Sequence, residues 1–493
     1  MTIKKKKTSK MKKKKIQNLL KQAVSLQDQK DFVNSEPLLQ EILSMDPKHA
    51  GAYHCMALVA KEFNEFKTAC SLMLTSIQLG YNNAESHYNY AVILGELKLH
   101  DLAIESYQHA VAIDKNMGLA WYNLAYTYFK KHQYKQAKDA LKKLLMIPHH
   151  SEKTYSNIAQ LYLDMGELDE SNKICSLTLD LYPENQEVLW TSLNAIQRQH
   201  TIQVELNTIS RYLKKNLTLN YSMRITIYKA IAEWQMGKFK ACQQSIDVSK
   251  QWLDGFEPNL VNLSLLSYRN FIQELLIYRQ NNPSIQTCHK NIYMVGDSHS
   301  LSNTHQVLSL NQQHYLAQTR LCIGCKTFHL TDGHPNTFKK SFNDAIESIP
   351  DSSPVILMFG EIDCRATEGV LPAFLKGDKG LSVMIQEQVE AYVTYALKQI
   401  SKKNFDVYFY GVPAPRLLLD VSDENMEILK NIVYIFNQYL QHYALQGGCK
   451  FINIYQLTVG EHGLSDGRYH IDDFHLLPKC IEAADLLFIS KPE

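Results

Sequence analysis

Residues 294–300 read Met-Val-Gly-Asp-Ser-His-Ser, and the fold of the second half of the chain depends on this stretch. The apolar run that leads into it, residues 291–295, predicts a short β-strand that stops at Gly296. A strand that ends in Gly-Asp-Ser places the hydroxyl of Ser298 on a tight turn at the carboxyl edge of a sheet, where open α/β folds bind ligands. The helix expected after Ser298 would offer its free N–H groups to a developing negative charge.

Strand and helix patterns alternate from this stretch to the end of the chain. Four further strands are predicted, at residues 314–323, 354–360, 406–412 and 449–455. The clearest helices between them are residues 380–402 and 423–443. Strands separated by helices predict a parallel sheet covered on both faces, and the continuously apolar residues 355–359 suit a strand buried on both sides.

Polar side chains cluster just beyond two of these strands. Residues 360–365 (Gly-Glu-Ile-Asp-Cys-Arg) follow the third strand, and residues 470–476 (His-Ile-Asp-Asp-Phe-His-Leu) lie near the chain end. The carboxyl ends of parallel strands share one edge, so a histidine and an aspartate from these segments can converge on Ser298. In nucleophilic catalysis the imidazole accepts the serine proton and the carboxylate holds the imidazole tautomer.

Residues 290–490 resemble an SGNH/GDSL-type hydrolase, a family with an α/β/α three-layer, flavodoxin-like fold around a parallel sheet. Gly296-Asp297-Ser298 is similar to the first family block, and Asp472-x-x-His475 is similar to the last. The resemblance implies that Ser298 is the nucleophile, His475 the general base and Asp472 the residue that orients it, with Asp473 as a competitor for that role. It also implies that Gly324 donates its backbone N–H to the oxyanion.

The third family block, Gly-x-Asn-Asp, is represented by residues 360–363, where Ile362 replaces the asparagine that donates to the oxyanion. Loss of one such donor typically lowers turnover by about 10²–10³-fold. Arg365 is the first candidate for a replacement donor, although Glu361 would alternatively hold it in a structural ion pair, and Asn303 is a weaker candidate. The residues assigned to the oxyanion or the substrate are therefore Gly324, Gly360, Asp363 and Arg365.

Small residues recur every 34 positions in the first half of the chain. One register contains Ala23, Ala57, Ala91, Ala125 and Ala159, and a second, offset by 12, contains Ser35, Ala69, Ala103, Ala137 and Ser171. A fixed period of this length predicts a solenoid of helix pairs, in which each unit covers the apolar face of its neighbour. Antiparallel helices approach closely only where one side chain is small.

These units resemble tetratricopeptide repeats (TPRs), most clearly in residues 117–141. The resemblance covers about five repeats in residues 16–184, and it implies a protein partner bound in the groove of the solenoid. The aromatic residues Trp121 and Tyr128 are interpreted as core. The pattern decays in residues 185–285, which we expect to be degenerate helical repeats that cap the solenoid and link it to the α/β domain.

Composition predicts a globular protein of two to four domains, since the 493 residues are 45% apolar and 21% charged. Residues 1–15 hold nine lysines and no acid, which favours a disordered, solvated tail over a contact with nucleic acid or an anionic membrane. No apolar stretch of membrane-spanning length is present, so we expect a soluble, cytoplasmic protein. The ten cysteines form no regular framework, and Cys322-x-x-Cys325 lacks a second ligand pair, so neither a metal nor another cofactor is expected.

Two functions follow from these patterns. The first is a serine-dependent acyl-ester hydrolase or acyltransferase that acts on an acylated sugar or another polar ester and carries a protein-binding repeat region. The second is a scaffold, in which the repeats bind a partner and the α/β domain has lost its activity. The missing amide at Ile362 favours the scaffold, whereas the retained serine, histidine and aspartate favour the enzyme.

Overall fold

The computed structural model describes residues 2–148, 150–199, 202–253, 263–283, 288–478 and 480–489. The chain divides into two compact units, residues 1–154 and 155–493. Within the described residues, none of the helices combines the length and the apolar character needed to cross a membrane.

The first unit is a row of helices joined by short turns. Its helices are α1 (Thr2–Asp28), α2 (Phe32–Met45), α3 (Ala50–Glu62), α4 (Phe66–Gln78), α5 (Ala84–Glu96), α6 (His100–Ile113), α7 (Gly118–Lys130) and α8 (Tyr134–Leu145). Each helix packs against the next along the chain. This is the helical solenoid that the 34-residue period predicts.

The small residues of both registers explain this packing. All ten side chains of the two 34-residue series are completely buried, including the two, Ala159 and Ser171, that lie in the second unit. The odd-numbered helices α1 to α7 carry the alanines of the first series, and the even-numbered helices α2 to α8 carry the first four members of the second. A larger side chain at any of these positions would force neighbouring helices apart.

The lysine-rich segment differs from expectation. Residues 1–15 were expected to be a disordered tail, but α1 begins at Thr2 and runs without a break to Asp28. Lysine has a high helix propensity, and neither glycine nor proline interrupts this segment. The apolar residues that anchor the helix, such as Ile16, Leu19 and Ala23, lie in its second half.

The second unit opens with further helices. They are α9 (Glu152–Asp164), in which the division between the units falls, α10 (Leu168–Leu181), α11 (Gln186–Arg198), α12 (Ile202–Tyr212), α13 (Leu219–Gln235), α14 (Phe239–Leu253) and α15 (Leu263–Asn281). The Ser171 hydroxyl donates to the Ala159 carbonyl at 2.9 Å, and the Cys242 thiol donates to the Ala230 carbonyl at 3.2 Å. Both contacts span 12 residues, so a repeat-like helix pair persists at α13 and α14 where the sequence period has decayed.

A six-stranded sheet follows. Its strands are β1 (Asn291–Gly296), β2 (Val307–Leu310), β3 (Gln313–Leu321), β4 (Pro354–Met358), β5 (Asp406–Tyr410) and β6 (Lys450–Ile452), in the order β2-β3-β1-β4-β5-β6. The accompanying helices are α16 (Thr327–Thr331), α17 (Thr337–Glu347), α18 (Val370–Phe374), α19 (Leu381–Ile400), α20 (Asp423–Gln446), α21 (Ile454–Thr458) and α22 (Cys480–Ile489). The five strands predicted from the sequence are confirmed to within a few residues.

The prediction of a purely parallel sheet is wrong at one edge, because β2 pairs antiparallel with β3 and makes the sheet mixed. The two strands form a hairpin whose turn residues, Asn311 and Gln312, both have positive φ, the backbone form that suits a two-residue hairpin. The other five strands are parallel. Numbered among themselves along the chain, they have the order 2-1-3-4-5 of flavodoxin-like sheets.

Alternate residues of the parallel strands pack into two different cores. Val295 and Leu357 belong to a core that includes residues of α17, α19 and α20, whereas Met294 and Ile356 belong to a second core that includes residues of α22. Both faces of the sheet are therefore covered. The carboxyl edge of the sheet carries Ser298.

Candidate active site

Ser298 lies on the turn that follows β1, and Gly296 makes this turn possible. A Cβ atom on Gly296 would lie 2.3 Å from the Met358 carbonyl oxygen, so only glycine lets β1 run this close to β4. The Asp297 carboxylate accepts the backbone N–H of His299 at 3.0 Å, and this bond stabilises the turn. The helix that follows is a single 3-10 turn, Ser298–Leu301, so Asn303 lies beyond it.

A small hairpin-like loop near the chain end carries the other two predicted catalytic residues. The Ile471 N–H donates to the His475 carbonyl at 2.8 Å, and the Leu477 N–H donates to the Tyr469 carbonyl at 2.8 Å. One oxygen of Asp472 accepts the backbone N–H groups of Phe474 at 2.8 Å and His475 at 2.7 Å. These bonds fix the Asp472 carboxylate beside the imidazole of His475.

The three side chains form a continuous hydrogen-bonded chain. His475 Nε2 lies 2.7 Å from the Ser298 hydroxyl oxygen, and His475 Nδ1 lies 2.7 Å from the second oxygen of Asp472. An ionised carboxylate can only accept, so Nδ1 carries the proton and the lone pair of Nε2 faces the serine hydroxyl. Ser298 and His475 are both buried, with 3% of each exposed. This is the geometry in which an imidazole accepts a serine proton.

The surroundings favour a neutral His475 and an ionised Asp472, the charge states that this geometry requires. Burial lowers the pKa of His475, and the nearby Asp472 carboxylate only partly offsets that effect. Burial raises the pKa of Asp472, but its bonds to His475 and Phe474 lower it by more, so the net shift is downward. At neutral pH, His475 is therefore a neutral base and Asp472 an ionised acceptor.

Asp473, the alternative orienting residue, points elsewhere. One of its carboxylate oxygens lies 3.0 Å from a guanidinium nitrogen of Arg416, and both side chains are largely exposed. The hydrogen bond to His475 Nδ1 comes from Asp472. Of the two neighbouring aspartates, Asp472 is therefore the one in the chain with Ser298.

Arg365, the first candidate for a replacement oxyanion donor, is held by Glu361. The Glu361 carboxylate accepts from Arg365 Nε at 2.8 and 3.0 Å and from Nη2 at 2.6 Å, and the guanidinium also stacks over the Phe474 ring. Burial lowers the pKa of Arg365, but Glu361 raises it by more. The structure thus shows the ion pair between Glu361 and Arg365, which was the alternative to a donor role for Arg365. The neighbouring Ile362 side chain is apolar and buried.

The other residues assigned to the oxyanion or the substrate are placed as follows. Asp363 is fully buried, and its carboxylate accepts the N–H groups of Thr327 at 2.8 Å and Phe328 at 3.3 Å and the amide of Gln388 at 2.7 Å. Burial raises its pKa to about 6. Its carboxylate therefore caps α16, which differs from the predicted contact with substrate.

Two glycines, which follow the strands on either side of β1, have the left-handed backbone that favours glycine. Gly360 has a φ of 112°, and a Cβ there would lie 2.5 Å from the Phe436 ring, so this position follows from packing. Gly324 has a φ of 64° and open space where a Cβ would be. It lies on the turn after β3, where the Cys322 N–H donates to the Gly296 carbonyl at 2.7 Å.

His299 is a buried residue beside the triad, and no sequence motif pointed to it. Its Nε2 donates to the Phe474 carbonyl at 2.8 Å, and its ring centre lies 4.8 Å from that of His475. Nδ1 faces carboxylate oxygens of Asp297 at 3.4 Å and Glu361 at 3.8 Å. Burial lowers the pKa of His299, but the two carboxylates raise it by more. The two carboxylates therefore favour the protonated form of His299.

Asp297, His299 and Glu361 also bring potential metal-ligating atoms within 4.8 Å of one another. Two features make this cluster a poor metal site. Arg365 already binds both oxygens of Glu361. The Nε2 atom of His299 faces the Phe474 carbonyl at 2.8 Å, so only Nδ1 faces the two acids.

Helix α15 covers the triad, and no local sequence pattern predicts this contact. The Phe271 ring stacks on the His475 ring with centroids 3.9 Å apart and an angle of 13° between the planes. Tyr268 lies one turn earlier on the same helix. Both residues belong to an apolar cluster that also contains Leu301 and Leu321 of the sheet region. The helices that were expected to cap the solenoid therefore also cover the carboxyl edge of the sheet.

The first unit has a separate groove of about 740 Å³ on helices α6, α7 and α8. Its apolar lining includes Val111, Trp121, Leu124, Met146 and Ile147. Trp121 and Tyr128 were predicted to be core residues. In the structure both are half-buried and line this groove. The indole N–H of Trp121 donates to the Lys115 carbonyl at 2.9 Å, and the Tyr128 hydroxyl accepts from Gln108 at 2.8 Å.

Comparison with known proteins identifies the repeats. The family model for the tetratricopeptide repeat matches residues 84–117 and 119–148, which include α5 to α8. A TPR repeat-containing protein of Methanocaldococcus jannaschii is 24% identical over 116 residues, or 24% of this chain and 20% of that protein. The BBSome complex member BBS4 of Mus musculus is 28% identical over 142 residues, which are 28% of this chain and 27% of that protein. The matches thus span about a fifth to a quarter of these relatives' length.

Solved structures with similar folds are also TPR proteins. The C-terminal part of a TPR repeat-containing protein from Cytophaga hutchinsonii covers 50% of this chain and 98% of its own, with 13% identity and a TM-score of 0.43. YrrB is described as a TPR protein with an unusual peptide-binding site. Its match covers 35% of this chain and 88% of its own, with 16% identity and a TM-score of 0.30. The tetratricopeptide repeats themselves are shown by the family model, over residues 84–117 and 119–148.

Proposed function

We propose that the protein is a serine-dependent acyl-ester hydrolase or acyltransferase of the SGNH/GDSL type, with a TPR region that binds a protein partner. The observation that carries this proposal is the hydrogen-bonded chain from Ser298 through His475 to Asp472. Ser298 lies 177 positions before His475 in the sequence, and both contacts of the chain are 2.7 Å long, in the order that acyl transfer requires. The lowered pKa of His475 keeps the base neutral at physiological pH.

In the proposed reaction, His475 Nε2 takes the proton of Ser298 while the serine oxygen attacks the ester carbonyl carbon. The tetrahedral adduct collapses, its bond to the alcohol oxygen breaks, and His475 returns the proton to the leaving alcohol. A water molecule or a sugar hydroxyl then attacks the acyl-serine, and His475 takes its proton. Collapse of the second adduct releases the acid or the new ester and restores the serine hydroxyl.

The residues beside the triad favour a polar ester with a small acyl group. A cleft of about 30 Å³ is lined by Glu361, Arg365, Arg416, His470 and Phe474. Its volume is far below that of pockets for drug-sized ligands, about 300–1,000 Å³. Its charged lining favours a polar ester, such as an acylated sugar, over a long acyl chain as the substrate class that we propose.

The test is covalent labelling by a fluorophosphonate, together with turnover of p-nitrophenyl acetate, in the wild type, Ser298→Ala and Ser302→Ala. We expect labelling and turnover in the wild type and in Ser302→Ala, and neither in Ser298→Ala. Ser302 is a matched control because it is buried in the same segment and its hydroxyl has no hydrogen-bond partner to lose. Equal turnover in all three proteins would show that Ser298 is not the nucleophile.

A second candidate is a TPR scaffold whose α/β domain is inactive. The observation that favours it is the apolar Ile362 at the position of the expected amide donor, with Arg365 engaged by Glu361. The TPR assignment fits this candidate equally well, since binding a partner requires no catalysis. A folded wild type that neither labels nor turns over the ester would support the scaffold.

A further inference from the structure

Helix α15 presents an apolar side to the sheet region. Phe271, Ile272 and Leu275 are completely buried, and Leu276 is nearly so. Their spacing of three to four residues places them on one side of a helix. They pack in an apolar cluster that also contains Leu301, which follows Ser298 by three residues. The apolar side of α15 therefore lies against the segment that carries the nucleophile.

The contact between Phe271 and His475 is a close and nearly parallel stack, with ring centroids 3.9 Å apart and 13° between the planes. Ser298 and Asp472 contact the two ring nitrogens of His475, each at 2.7 Å. These two hydrogen bonds lie roughly in the plane of the imidazole. They leave the ring free to rock about the line that joins its two nitrogens, whereas an aromatic ring stacked on its face opposes that motion.

Rocking of the imidazole matters because the lone pair of Nε2 lies in the ring plane. A tilted ring turns this lone pair away from the Ser298 hydroxyl, which must transfer its proton along that line. A displacement of about 1 Å at a reacting group can lower the rate about 10²-fold. The stack with Phe271 thus preserves the alignment on which the proton transfer depends.

Phe271 also keeps water away from the stacked face of His475, which is only 3% exposed. Burial is the largest cause of the lowered pKa of His475. The titratable groups that act on His475 lie on its own loop and after strands β1 and β4: Asp472, His470, His299 and Glu361. On α15, Tyr268 lies one turn before Phe271, and burial raises its pKa, so it stays neutral. What Phe271 itself contributes to His475 is therefore an apolar surface.

We propose that Phe271 is a positioning residue of the active site, which holds the imidazole plane of His475 in line with Ser298 and excludes water from one face of the ring. This inference rests on the proposed hydrolase or acyltransferase function. It makes α15, a helix that precedes the α/β domain, a part of the catalytic machinery. Phe271 acts through His475 and takes no part in bond making.

The experiment compares the wild type, Phe271→Leu, Phe271→Ala and Ile272→Val in p-nitrophenyl acetate turnover. Leucine keeps the site dry but is not planar, so we expect kcat about 10-fold lower with little change in KM and the same acidic limit. Alanine leaves room for water beside a polar ring. We expect Phe271→Ala to lower kcat about 10²-fold and to move the acidic midpoint of kcat/KM upward, toward pH 6.5, the ordinary pKa of histidine.

Ile272→Val is the matched control, because Ile272 is completely buried in the same cluster on the same helix. It should keep kcat within a few-fold of the wild type. Thermal unfolding shows which variants are folded, and Phe271→Leu decides the result if Phe271→Ala is not.

The outcomes separate the role of Phe271 from the proposed function. An active wild type with Phe271→Leu at the same kcat would overturn the positioning role and leave the nucleophile in place. Equal losses of kcat in Phe271→Leu and Ile272→Val would also overturn it, because they would indicate a general effect on α15. A folded wild type that neither turns over the ester nor is labelled by a fluorophosphonate would overturn the proposed function, and the role of Phe271 with it.

Discussion

His475 receives the Ser298 proton on Nε2 because Asp472 holds the proton of Nδ1. Asp472→Asn presents an amide to Nδ1 and favours the wrong tautomer, so we expect a loss of about 10⁴-fold in kcat. Asp473→Asn is the matched control, since Asp473 pairs with Arg416 and should change the rate by only a few-fold. Similar losses in both variants would show that the orienting residue is not Asp472. The measurement is kcat for p-nitrophenyl acetate.

The pKa of His475 sets the acidic limit of activity. Burial, with the positive charge of His299 nearby, lowers this pKa below the ordinary value of 6.5. A base works only when neutral, so the wild type should keep more than half of its kcat/KM at pH 6.5 and lose it at lower pH. A profile of kcat/KM against pH checks this. A midpoint above pH 6.5 would mean that His475 is not the buried base described.

Some site residues are predictable from sequence because they stand in local patterns. Ser298 follows a strand and a glycine, and Asp472 lies three residues before His475, so each motif occupies a few consecutive positions. The covering residue Phe271 has no such pattern. It lies on an ordinary helix, and only the packing of α15 on the sheet edge brings its ring onto His475.

Helix α16 begins with two N–H groups that donate to the Asp363 carboxylate, a residue that the sequence assigned to substrate binding. Asp363→Ala would leave the buried N–H groups of Thr327 and Phe328 without their acceptor, which should cost about 2 kcal/mol of unfolding free energy. Asp378→Ala, at an exposed position, should cost almost nothing. Urea denaturation measures both. A raised KM with unchanged stability in Asp363→Ala would restore the substrate-binding role.

Strands and helices with strong periodicity were predictable, whereas the short edge strand β2 was not. β2 has only four residues, and the polar residues before it favoured a helix after Ser298. The turn that joins it to β3 is Asn311-Gln312, which lacks the glycine of the usual hairpin signal. A longer helix was expected after Ser298, whereas the structure has only a single 3-10 turn, Ser298–Leu301.

At the scale of the whole molecule, the second compact unit contains α15 together with the sheet. A chain that begins at Ser151 should therefore retain fluorophosphonate labelling within a few-fold of the full-length rate. A chain that begins at Cys288, the α/β domain alone, should lose labelling or solubility, because Leu301, Leu321 and Ile471 lose the helices that cover them. Labelling of the shorter chain at the full-length rate would contradict this.

The 34-residue period was the most informative large-scale signal, because every repeat reuses the same two small positions. The boundary predicted after residue 285 has no such support. It falls inside the second unit, and residues 284–287 lie outside the described part of the chain. The polar residues 280–287 predict a loop, but such a pattern does not show whether the elements on either side pack together.

The measurement that tests the central claim most directly is mass-spectrometric mapping of the residue that fluorophosphonate modifies in the full-length protein. The account predicts one phosphonate per chain, located on Ser298 and absent from Ser298→Ala. An adduct on a different residue, or no adduct on a folded protein, would contradict the claim that Ser298, His475 and Asp472 form an active catalytic chain.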